Sequence, residues 1–315
     1  MSKYRSALPQ LAGDLYLTDG GLETTLIFHH GLELPDFAAF HLLTSPAGTE
    51  TLRNYFRAYA KLAHELKTGF IFESATWRAN RDWAYPLGYN RATLAAVNHM
   101  AITIMDEIRQ EYESEHSPMI LSGCIGPRGD GYLPTSVMSV QDAQDYHQEQ
   151  IDTFARTQAD MVCALTMNYP DEASGIVLAA RQAELPVAIS FTLETDGNLP
   201  DGQTLAVAIN RVDDITAGYA SYFMINCAHP THFEHLFAGN DKSLIRVRGV
   251  RANASCKSHA ELNDSAELDM GNPEELGEQY AALKKQLPSL NILGGCCGTD
   301  HQHVAEIAKA CLPLF

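Results

Sequence analysis

Three cysteines stand where thiols can do metal chemistry. Cys296 and Cys297 are adjacent within Gly294-Gly295-Cys296-Cys297-Gly298-Thr299-Asp300, after the apolar run Leu290-Asn291-Ile292-Leu293 and before a helical pattern from His303 to Ala310. Adjacent cysteines project apart unless the backbone bends sharply, and flanking glycines permit that bend. Two soft ligands then converge on one ion. Cys227, in Ile225-Asn226-Cys227-Ala228-His229-Pro230, also ends an apolar run. Brought together, the three thiolates make a soft site that suits Zn²⁺ and leaves a fourth tetrahedral position open. Such a centre is a poor Lewis acid for carbonyls but a good partner for another thiol, which loses its proton on binding and stays nucleophilic. That is the setting for alkyl transfer onto sulfur from an activated methyl group.

Other readings stand beside this one. Cys124, Cys163, Cys256 and Cys311 read as small buried hydrophobes. A vicinal Cys296–Cys297 disulfide is disfavoured in a reducing compartment. His229, His232, His235, His301 and His303 flank the cysteines, as candidate fourth ligands or as surface and packing residues.

The elements that must position the thiols alternate regularly. Strands are expected at Leu15–Thr18, Phe70–Phe72, Met119–Ser122, Met161–Leu165, Val187–Phe191, Tyr222–Asn226, Leu244–Arg248 and Leu290–Leu293. The seventh is the weakest, because charges interrupt it. Helical periodicity fills much of the chain between them, at 52–66, 94–112, 140–158, 171–183, 203–215 and 274–286. Short apolar strands alternating with amphipathic helices imply a parallel sheet covered on both faces. Eight such units predict an α/β fold of the closed (β/α)8 type, a TIM barrel, spanning residues 1–315 as one domain. In a barrel the strand C-termini share one rim. That rim would gather Cys227, Cys296 and Cys297 with Asp19 and Thr76, which follow the first and second strands.

The chain has 45% hydrophobic and 19% charged residues, an ordinary globular balance. A formal charge of −17 and a pI near 5.1 argue against a general basic surface for nucleic acid or anionic membrane. No uninterrupted apolar run approaches the ~18 residues of a membrane span. The first residues lack the apolar core of a secretory signal. With seven cysteines in no staple-like spacing, a reduced, cytoplasmic protein is expected.

The chain resembles the homocysteine S-methyltransferases, a family that includes S-methylmethionine-dependent and betaine-dependent enzymes and a module of cobalamin-dependent methionine synthase. The resemblance rests on Asp19-Gly20-Gly21, Ser74-Ala75-Thr76-Trp77-Arg78-Ala79-Asn80, Gly123-Cys124-Ile125-Gly126-Pro127, Ser190-Phe191-Thr192, Ile225-Asn226-Cys227 and Gly294-Gly295-Cys296-Cys297-Gly298-Thr299. It implies a zinc barrel with Cys227, Cys296 and Cys297 as ligands and homocysteine as the thiol acceptor, giving methionine. It also implies that Asp19 holds the substrate ammonium. Thr76 and Asn226 would lie near the substrate, and amides around Gly20, Gly21 and Gly298 would receive its carboxylate. The family's second acid, at the end of the fourth strand, falls on Leu165, so Glu73 or Glu194 is expected to replace it. Otherwise the acceptor is a different thiol or selenium compound, or the barrel is a non-catalytic zinc- or thiol-binding subunit. A free sulfonium, S-methylmethionine or S-adenosylmethionine, is the economical donor. The faces of Trp77 or Trp83 are candidates to meet its charge.

Overall fold

The computed structural model describes residues 2–134, 137–239, 241–263 and 267–315. Eight parallel strands close into a barrel in sequence order: β1 Tyr16–Leu17, β2 Gly69–Glu73, β3 Met119–Ile125, β4 Met161–Met167, β5 Val187–Phe191, β6 Tyr222–Asn226, β7 Val247–Ala252 and β8 Ile292–Gly295. Closure is made where Tyr16 and Leu17 pair with Ile292 and Leu293. The helices that follow the strands are α1 Pro46–Leu66, α2 Arg91–Tyr112, α3 Val140–Ala155, α4 Pro170–Gln182, α5 Leu205–Thr216, the short α6 Pro230–Phe233, α7 Pro273–Gln286 and α8 His301–Cys311. This is the (β/α)8 architecture.

Strand side chains alternate between two apolar groups, as parallel strands buried on both faces require. Tyr16, Ile71, Ile120, Met161, Cys163, Tyr222, Met224 and Ile292 form one cluster, the fill of the barrel. Leu17, Phe70, Phe72, Leu121, Val162, Ile189, Phe223, Ile225 and Leu293 belong to the other, with the helix residues. Local capping fixes several helix starts. Ser45 accepts from Gly48 N–H ahead of α1, and Asn90 and Thr93 form a reciprocal cap on α2. His303 belongs to such a cap: its Nδ1 lies 2.8 Å from Asp300, the α8 N-cap, and its Nε2 lies 2.8 Å from Met270 O.

One strand differs from expectation. Lys242–Arg246 is a 3₁₀ turn, and β7 runs Val247–Ala252 rather than 244–248. The charges that seemed to interrupt a strand are accommodated. Arg246 pairs with Asp213 at 3.0 Å outside the sheet, and Arg248, within β7, reaches Leu11 O at 3.4 Å. Among the described residues no helix is long and apolar enough to cross a membrane.

Candidate metal centre

The sulfurs of Cys227, Cys296 and Cys297 all lie within 4.8 Å of one another, and no other described residue joins them as a potential ligand group. Cys227 Sγ and Cys297 Sγ are 3.9 Å apart, close to the ~3.8 Å that tetrahedral bonds of about 2.3 Å require. The donor set fits zinc. Cys227 and Cys296 are joined by a disulfide, which corrects the expectation that every cysteine is reduced. The bonded pair crosses from the end of β6 to the end of β8, not between sequence neighbours. Reduction would free both sulfurs for ligation.

Backbone geometry explains the convergence. Cys227 has φ +56°, a left-handed turn rare for non-glycine residues, and its N–H donates to Arg251 O at 3.1 Å. The β8 turn is tied down on each side: Cys296 N–H donates to Ala252 O at 2.8 Å, and Thr299 N–H and hydroxyl both donate to Cys296 O. Two glycines are required here. Gly298 has φ +78°, and a Cβ on Gly21 would lie 2.5 Å from Cys296 O.

Asn226 holds one sulfur in place. Its amide donates to Thr166 Oγ1 at 2.8 Å and lies 4.0 Å from Cys296 Sγ, while its oxygen accepts from Thr166 N–H and Ser190 Oγ. Burial, with Glu23 nearby, pushes the Cys297 thiol up to about 11 against a hydrogen bond from Tyr132. A bound cation would reverse that balance.

The other expected site residues divide. Asp19 is buried at the rim and already engaged: Tyr55 OH donates to it at 2.9 Å, and Arg251 Nη2 is 2.8 Å away. Burial raises its pKa, and Arg251 followed by Tyr55 opposes the rise. Arg251 also donates to Gly20 O and Gly295 O, stitching the β1 rim to the β8 turn. The Thr76 hydroxyl donates to Cys124 O at 2.7 Å and so fastens the end of β2 to β3. The expected three-amide anion nest is used up: Gly21 N–H donates to Thr299 O, Gly298 N–H to Thr24 Oγ1, and Gly20 N–H to the Tyr59 hydroxyl.

Leu165 belongs to the apolar group that fills the barrel, so β4 offers no carboxylate there. Glu194 lies in the turn after β5, where its N–H donates to Asn198 O. Glu73 is buried among Arg251, Ser122 and Cys163, with Oε2 unpartnered. Arg78 lies over one face of each indole, Trp77 and Trp83. His229 caps α6, and His232 Nε2 contacts Cys256 O. Glu23, Tyr132, Arg78 and Arg251 were missed by sequence reasoning. Only Glu23, one turn beyond Asp19 in a rim segment, carried a local signal.

Burial raises the Glu73 carboxyl from 4.5 to about 8, opposed first by Arg251. Between those values the folded state holds a proton that the unfolded state has lost. This carboxyl therefore costs no stability below about pH 4.5, progressively more between 4.5 and 8, and a constant ~5 kcal/mol at higher pH. Urea unfolding across pH 5–8 should show that decline, and Glu73→Gln should flatten it. An equally steep decline in the variant would remove Glu73 as its source.

A closed (β/α)8 barrel with three thiols gathered on its C-terminal rim defines a candidate thiol-handling metalloenzyme. The homocysteine S-methyltransferase pattern matches residues 16–311, and the chain belongs to that family of methyltransferases. It is 24% identical over 312 residues to homocysteine S-methyltransferase YbgG of Bacillus subtilis, covering 93% of each chain. To methionine synthase of Mycobacterium leprae it is 29% identical over 160 residues, and this match spans 48% of the chain but only 13% of that relative. The homocysteine methyltransferase MmuM of Escherichia coli shares the fold. Its oxidized form has a TM-score of 0.76 at 19% identity, covering 98% of this chain and 99% of that one. Its metallated form has a TM-score of 0.70.

Proposed function

We propose that this barrel, residues 1–315, transfers a methyl group from a small sulfonium donor, S-methylmethionine or S-adenosylmethionine, to the thiol of homocysteine. Zinc would be held by Cys227, Cys296 and Cys297. The observation that carries this is the approach of three cysteine sulfurs within 4.8 Å at the rim of a barrel of this family. When bound, zinc supplies the positive charge that keeps the acceptor sulfur deprotonated at neutral pH.

The chain's own residues supply the rest. Asn226 and the Gly298 turn fix the sulfur positions. Asp19 and Glu23 form an acidic end for the substrate ammonium, and Glu23 supplies the second acid that Leu165 does not. Burial, with Asp19 adding, pushes the Glu23 carboxyl up to about 7. A nearby substrate cation would draw it back toward the ionised form. The acceptor sulfur forms its bond to the methyl carbon as the donor's carbon–sulfur bond breaks. The donor leaves as a neutral thioether, so no acid is needed on the leaving group.

Homocysteine titrated calorimetrically into reduced, zinc-loaded protein, in buffers of differing ionisation enthalpy, should release about one proton. Adding S-methylmethionine should then yield methionine. Proton release without turnover under any sulfonium donor would favour a thiol-binding subunit. No binding at all would exclude homocysteine as acceptor.

A further inference from the structure

The loop after β2 carries a cation that none of these roles uses. Arg78 is 6% exposed, and its guanidinium carbon lies 4.1 Å from the Trp77 ring and 3.7 Å from the Trp83 ring. Both indoles are pinned: Trp77 Nε1 donates to Leu165 O and Trp83 Nε1 to Arg128 O. Arg78 Nη1 donates to Gly129 O at 3.0 Å, but its buried Nε has no partner. Among the described residues no carboxylate lies within 4.0 Å of it, although buried arginines are ordinarily paired.

Its surroundings point into the metal centre. Burial lowers the guanidinium to about 10, leaving it charged at neutral pH, and the groups that oppose the fall are Asp130, Tyr132, Glu23 and Asp36. Tyr132 also hydrogen-bonds the Cys297 thiol. A clamped, planar guanidinium with open donors is shaped to receive a carboxylate, at little cost in ordering because the indoles already hold it. Glu23 provides the opposite sign nearby. The two charges together match a zwitterion, and the Gly21 and Gly298 amides are already engaged.

We propose that Arg78, held between Trp77 and Trp83, is the carboxylate anchor of the site and binds the α-carboxylate of an amino-acid substrate. This rests on the reading above that the substrates are amino acids. The carboxylate belongs either to the thiol acceptor or to the methyl donor.

The chain has only two tryptophans, and both stack on Arg78. Intrinsic fluorescence therefore reports this position directly and requires no turnover. Reduced, zinc-loaded protein should change emission on titration with L-methionine. L-methioninol, which lacks the carboxylate, should bind at least about tenfold more weakly. Arg78→Gln should bring methionine down to the level of methioninol, and Arg78→Lys, which keeps the charge but not the fork, should fall between. If the Gln variant does not fold, the Lys variant carries the same comparison. Equal affinities for the two ligands in the parent protein, or a full methionine preference in the Arg78 variant, would overturn the proposal. In steady-state assays, a KM rise confined to the donor assigns the carboxylate to the donor, and one confined to homocysteine assigns it to the acceptor. A protein that prefers methionine yet transfers no methyl group would retain the anchor while refuting the methyl-transfer reading.

Discussion

Cys297→Ser and Cys296→Ser are each expected to strip the site of zinc and end turnover while the barrel stays folded. Losing an outer-shell partner of a metal ligand typically costs ~10–100-fold in affinity, and losing the ligand itself should cost more. A serine hydroxyl is a hard, protonated donor that does not replace a thiolate at neutral pH. Folding is expected to survive because Cys296 and Cys297 are only part-buried and the turn is held by backbone bonds from Thr299 and Ala252. Metal content by atomic emission, far-UV circular dichroism and methionine formation test this together. Full zinc occupancy with turnover in either variant would remove that cysteine from the site. The Cys227–Cys296 bond adds a control. Protein kept oxidised should bind no zinc and should regain it on reduction, whereas Cys296→Ser should not regain it.

Arg251→Met is expected to destabilise the fold by about 3–5 kcal/mol, because it leaves charge buried without a partner. Arg251 is 5% exposed and stands against Asp19, with Glu73 also close; burial opposes its charge, and Asp19 first, then Glu73, hold its pKa up. It also donates to the carbonyls of Gly20 and Gly295, so the rim at β1 and the β8 turn loosen together. The melting temperature should fall by about 5–10 °C. Adding Asp19→Asn to Arg251→Met should recover much of the loss, since the carboxylate paired to Arg251 is then gone. A single variant as stable as the parent would mean the cluster is already neutral.

The sequence by itself determined the barrel and the three thiols. Eight short apolar runs alternating with helical periods leave little choice but a parallel sheet covered on both faces. Closure of that sheet then carries the ends of β6 and β8 to the rim, with Cys227, Cys296 and Cys297 on them. Glycine spacing made the β8 turn legible, since Gly298 takes a conformation that few other residues tolerate.

Partnership among polar residues was decided only by tertiary structure. Asp19 and Arg251 are 232 positions apart, and no local pattern announces their pairing. Arg246 and Arg248 seemed to weaken a strand because their partners, Asp213 and the Leu11 carbonyl, are supplied by distant segments. The Thr76 hydroxyl's donation to Cys124 O joins residues 48 positions apart, and nothing local in the sequence announces it. Trp77 and Trp83 offered open aromatic faces until Arg78 filled the space between them. Backbone period and turn chemistry are local and can be read in order. Which buried charge meets which, and which donors are left over, depends on neighbours that only closure of the barrel brings together.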